Sequence, residues 1–151
     1  HGMQEDDSWS AFYRGRKGEI VREAAEKCPN TLKALDDLPI LHMGQRSPNI
    51  LFSVLKPGAK IPPHTGMTNT RLIGHLGLIV PEGCGFRVGN DVRYWQKGKV
   101  WLFDDTIEHE AWNDSDQTRY ILLFEVWKPE LSEDEKTLVT KLFESIDQYK
   151  A

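Results

Sequence analysis

The sequence predicts a mainly β fold, a jelly-roll or cupin-like barrel of antiparallel strands buttressed by a helix at each end of the chain. Three observations predict it. Short β-prone runs at residues 50–56, 71–80, 86–88, 100–103 and 120–127 fill the middle of the 151 residues. Turn formers separate them at intervals close to those of a sandwich or barrel: Lys56-Pro57-Gly58, Pro81-Glu82-Gly83, Gly89-Asn90-Asp91 and Asn113-Asp114-Ser115. Strands do not alternate with helices, as a doubly wound parallel sheet requires.

The elements follow in order. Residues 17–28 place Ile20, Val21, Ala24 and Ala25 at helical intervals, and the pattern stops at Cys28-Pro29, where proline disfavours continuation. The β runs come next, the last of them a nearly unbroken apolar stretch from Tyr120 to Phe124. At the far end Ser132-Glu133-Asp134-Glu135 reads as a capping box, with Leu138, Val139, Leu142, Phe143 and Ile146 on one face of the helix it opens.

Composition narrows the class. Hydrophobic residues are 39% and charged residues 28%, as in a folded globular protein. One domain over residues 1–151 is expected, with His1-Gly2-Met3 reading as an expression scar. A net charge of −4 argues against a nucleic-acid partner held by phosphate contacts. No apolar run approaches the roughly 20 residues that span a bilayer, and the acidic start lacks a secretory signal, so a cytoplasmic location and no membrane span are expected. Cys28 and Cys84 are too few for a disulfide framework and are expected as free thiols.

Histidines are the first chemical candidates, although a lone imidazole is more often a surface or hydrogen-bonded residue than a ligand. His64 follows Pro62-Pro63, which stiffen the approach, and precedes Thr65-Gly66, which leaves space beside the ring. His109 lies just after an apolar strand in FDDTIEHEAWN, with carboxylates near in sequence. Their spacing permits a shared metal site without requiring one. Arg119 opens the last strand, either as a carboxylate clamp at a barrel mouth or as a solvent-facing strand end. Ser53, inside Ile50-Leu51-Phe52-Ser53-Val54-Leu55, needs a partner if it points inward and none if it points outward.

Four segments taken together say more. HTGMTNTRLIGHLGL, GCGFRVGNDVRYWQKGK, FDDTIEHEAWN and RYILLFEVWKPEL, in this order and preceded by FSVLKPGAKIPPH, resemble the catalytic domain of the aspartyl/asparaginyl β-hydroxylases. That family belongs to the iron(II) and 2-oxoglutarate dependent dioxygenases, so the resemblance implies a double-stranded β-helix, in agreement with the barrel above. It implies His64 and His109 as ligands of Fe(II), Ser53, His75 and Arg119 as contacts of the 2-oxoglutarate co-substrate, and Asp105 as an acceptor for metal-bound water. It also implies Arg71 in substrate binding. The reaction implied is hydroxylation of an unactivated carbon by O2, with release of succinate and CO2. The substrate implied is a small molecule, or a peptide- or carrier-bound amino acid or acyl group, with no obligate protein partner.

Two departures qualify this. Most such oxygenases complete a facial triad with a carboxylate two residues after the first histidine, where this chain has Gly66; the family resembled accepts glycine there, while iron-dependent halogenases use the vacancy for chloride. A second basic position beside Arg71 appears here as Ile73, which makes a less acidic substrate plausible. The competing reading is a metal-binding cupin that uses His64 and His109 without a keto acid and gives Arg119 no role. A Rossmann site and a serine hydrolase are excluded for want of GxGxxG and GxSxG.

Overall fold

The computed structural model describes residues 9–13, 30, 41 and 50–150, with backbone alone for the first of these strands. Nine strands and one helix follow in order: β1 Trp9–Tyr13, β2 Ile50–Leu55, β3 Lys60–His64, β4 Arg71–Ile79, β5 Cys84–Val88, β6 Asp91–Tyr94, β7 Val100–Phe103, β8 His109–Asn113, β9 Arg119–Trp127 and α1 Glu133–Lys150. The expected helix over residues 17–28 and Cys28 lie outside the described residues.

The strands form two antiparallel sheets, one in the order β1-β2-β9-β4-β7 and one in the order β3-β8-β5-β6. This is the predicted mainly β, jelly-roll architecture, with three further strands, β3, β6 and β8, between the expected runs. Alternation along β9 divides the core. Ile121 joins Leu55, Cys84, Phe86, Trp95 and Ala111 between the sheets. Leu122, Phe124 and Val126 turn the other way and pack with Ile50, Phe52 and Leu78, all from the large sheet. Gly74 on β4 lets Phe124 sit down, since a Cβ built there would overlap its ring.

On β3 the pairing Ile61↔Ala111 and His64↔His109 sets three residue steps against two, a bulge that coincides with Pro62-Pro63. Prolines lack the donor a central strand needs, and β3 is an edge strand. The extra residue turns His64 to the same face as Ile61, toward the barrel interior. The helix α1 begins where the capping box predicts: Glu135 N donates to Ser132 Oγ at 3.2 Å, and Ser132 N donates to Glu135 Oε2 at 2.7 Å. Its apolar stripe is not a core face, for Leu138 and Leu142 are exposed. No helix among the described residues is long and apolar enough to cross a membrane.

Candidate active site

Pairing of β3 with β8 sets His64 opposite His109, with ring centroids 4.2 Å apart. Each ring is held by its own chain: Nδ1 of His64 lies 2.8 Å from Pro62 O, and Nδ1 of His109 lies 2.8 Å from Ile107 O. A carbonyl only accepts, so Nδ1 is the donor in both rings and Nε2 is the atom left for a ligand. Burial lowers the His109 pKa, with the neighbouring His64 adding to the shift, against the Ile107 carbonyl and Asp105. Two imidazoles with oriented Nε2 atoms fit a divalent transition metal. Among the described residues no cluster of three or more His, Cys, Asp or Glu side chains is arranged to hold one.

Asp105 sits where a side chain at residue 66 would be. A Cβ built on Gly66 would overlap the Asp105 carboxylate, and Gly66 N donates to Asp105 O at 2.6 Å. Asp105 is buried, its Oδ2 accepts from Arg71 Nη2 at 3.1 Å, and its Oδ1 has no partner. A buried unpaired carboxylate oxygen beside two oriented imidazoles fits a metal-bound water as donor. Arg71 is also paired through Nη1 with Glu125 of β9. Sequence reading missed Glu125, although a carboxylate inside Leu-Leu-Phe-Glu-Val-Trp carries a signal: such a residue is buried only when paired.

Deeper in the barrel, Arg119 is completely enclosed, and not at a solvent-facing strand end. Its Nη2 donates to Ser53 Oγ at 2.8 Å, its Cζ lies 4.6 Å over the Trp95 ring, and its Nε has no partner. Burial pulls its pKa down to about 9. Ser53 therefore points inward. Among the described residues no carboxylate forms an ion pair with Arg119, and a buried guanidinium in this state fits an anionic guest. His75 links the two regions: Trp95 Nε1 donates to its Nδ1 at 3.4 Å, and its ring lies 5.0 Å from Phe103, which lies 5.1 Å from His109. Burial first, then the charge of Arg119, holds its pKa well below 6.5, so it is a neutral ring with Nε2 protonated. Trp95 was not singled out by its sequence context, since it lies outside every β-prone run.

Known proteins of one family resemble this chain over most of its length. The family model described as aspartyl/asparaginyl beta-hydroxylase matches residues 1–129. The human aspartyl/asparaginyl beta-hydroxylase is 39% identical over 135 residues, covering 89% of this chain and 18% of that protein. The ornithine lipid ester-linked acyl 2-hydroxylase of Rhizobium tropici is 40% identical over 127 residues, covering 82% of this chain and 43% of that protein. The chain thus spans less than half the length of either relative. Among solved structures, the cupin domain of Schizosaccharomyces pombe Cnp3 is similar over 59% of this chain and 62% of its own, with a TM-score of 0.46 and 12% identity. With the family model matching residues 1–129 and a relative 39% identical over 89% of the chain, this chain belongs to the aspartyl/asparaginyl β-hydroxylase family.

Proposed function

We propose that this chain is an iron(II)- and 2-oxoglutarate-dependent hydroxylase that inserts oxygen into an unactivated C–H bond of an acyl or aminoacyl group. The observation that carries the reading is the enclosed Arg119, bonded to Ser53 and stacked on Trp95, with no carboxylate among the described residues to pair it. A metal-binding barrel without a keto acid has no use for such a group, whereas a dicarboxylic co-substrate supplies its counter-ion.

The residues then divide the work. Nε2 of His64 and Nε2 of His109 hold the metal, which when bound supplies the oxidative chemistry together with O2 and the keto acid. Arg119 and the Ser53 hydroxyl bind the distal carboxylate of 2-oxoglutarate, and the uncharged His75 offers its Nε2–H as a donor without adding a second positive charge. Phe86, Trp95, Trp101 and Phe103 surround His75 and exclude water from the co-substrate. Asp105 Oδ1, buried and without a partner, would accept a hydrogen bond from a water held beside the two imidazoles.

Arg71 stands beside this site as the candidate substrate contact. Its charge is already shared by Asp105 and Glu125, and its neighbour Ile73 is buried and apolar. A substrate carboxylate there competes with two carboxylates of the protein. That balance favours a less acidic substrate, closer to the acyl group named for the R. tropici relative than to the aspartyl residue named for the human one.

The test is succinate formation by the purified protein under air with iron(II), ascorbate and 2-oxoglutarate. Turnover is expected, with loss in His64→Ala and His109→Ala. Arg119→Ala is expected to raise the KM for 2-oxoglutarate about ten- to a hundredfold, the loss of one charge-assisted hydrogen bond. No succinate under any condition, with tight zinc binding retained, overturns the reading in favour of a metal-binding barrel.

A further inference from the structure

Between the edge strands β6 and β7 lies a cavity of about 250 Å³ whose wall includes Phe103 and Val88, neighbours of His109. Its apolar lining is Phe86, Val88, Trp101, Leu102, Phe103 and Ile107. We infer that this slot is a substrate subsite for an aliphatic chain attached to the reacting carbon; the inference rests on the hydroxylase reading and names its substrate class.

Register places the slot. His64 pairs with His109, His109 with Val88, and Val88 with Asp91, so a single row runs across the small sheet from the metal ligands to the slot. At about 4.8 Å per strand, the row carries about 10 Å from His109 to Asp91. The short side chain of an aspartyl or asparaginyl residue reacting at the histidines does not cover that span, whereas a hydrocarbon chain does. Phe103 is common to both, since its ring lies 5.1 Å from that of His109 and the residue lines the slot.

The polar residues of the slot need nothing from a guest. Arg93 is bonded to Asp91 through Nε and through Nη2, both at 2.9 Å. Asp104 accepts from Lys128 Nζ at 2.6 Å and from Thr106 Oγ1 at 2.6 Å. With those charges matched within the protein, the surface left for recognition is apolar, and Leu102 and Ile107 are each about half exposed at 51% and 48%.

The probes are N-acylglycines from acetyl to decanoyl, titrated by calorimetry into the full chain without iron or 2-oxoglutarate and then used as substrates in the succinate assay. Binding is expected to tighten about fourfold for each added methylene until the slot is full, from about 0.8 kcal/mol per buried CH2. Leu102→Asp, which sets a charge on the wall, and Val88→Phe, which narrows it, are each expected to weaken decanoylglycine at least tenfold while acetylglycine is unaffected. Equal binding of acetyl and decanoyl probes overturns the inference, as does a decanoyl affinity untouched by both variants, or tighter binding of phenylacetylglycine than of decanoylglycine. Chain-length-dependent binding without succinate from any probe overturns the hydroxylase reading and leaves the slot standing; succinate formation without chain-length dependence does the reverse.

Discussion

Gly66 and Asp105 are two halves of one arrangement. The carboxylate of Asp105 fills the volume that a side chain at residue 66 would enter, so glycine there reflects occupied space as much as a missing ligand. Adding a carboxylate does not restore a triad while Asp105 remains. Gly66→Asp is expected to destabilise the fold by about 1–3 kcal/mol through overpacking, and Asp105→Ala in the same chain to recover most of that loss. Urea denaturation of the four proteins in the cycle measures the coupling, and full stability of the single variant would show that the Asp105 carboxylate lies elsewhere. Glu125 belongs to the same scale. Removing it leaves Arg71 with Asp105 alone, so Glu125→Gln is expected to strengthen binding of carboxylate-bearing substrate analogues several-fold, as read by calorimetry against a neutral amide analogue.

Strands and helix were legible to different degrees, and the reason lies in what each buries. Strands β2, β4 and β9 are the interior strands of the large sheet and bury both faces, so they read as continuous apolar runs. Strand β3 contains two prolines, β6 is exposed along its length, and β8 is His-Glu-Ala-Trp-Asn; each pairs because of its neighbours and carries little β signal alone. Helix α1 announced itself through its cap rather than its burial. Ser132→Ala is therefore expected to cost about 1 kcal/mol of helix stability and to fray the first turn, leaving the barrel folded. Hydrogen exchange would register faster exchange confined to residues 133–137; protection lost in β9 as well would show that α1 is integral to the barrel.

Across the whole molecule, polar groups are enclosed in a barrel that favours the neutral form of His75 and His109. His75 and His109 both have pKa values below the usual 6.5, so the unfolded chain takes up protons in a range where the folded chain does not. Stability is then flat above about pH 7.5 and declines as pH falls through 6.5, by up to about 1.4 kcal/mol per unit for each group. Asp104, held at about 2 by Lys128 and Thr106, keeps its contribution throughout that range and loses it only below the ordinary 3.8. Unfolding midpoints in urea from pH 8 to 5.5 are expected to show the decline, with His75→Gln removing part of the slope. An unchanged slope in that variant would assign the effect to other groups.

The amino-acid order alone determined the class of fold, the main sheet strands, the capped helix and the identity of the candidate ligands, because periodicity, turn chemistry and motif are local properties of a chain. Tertiary structure decided which of those candidates meet. The bulge at Pro62-Pro63 turns His64 toward His109, Arg119 proves to be enclosed with Ser53, and Arg71 is claimed by Asp105 and Glu125 from two other segments. The slot between β6 and β7 exists only because two sheet edges face each other. Each of these outcomes joins residues far apart in sequence, and a charge or a cavity takes its meaning from neighbours that only the folded chain supplies.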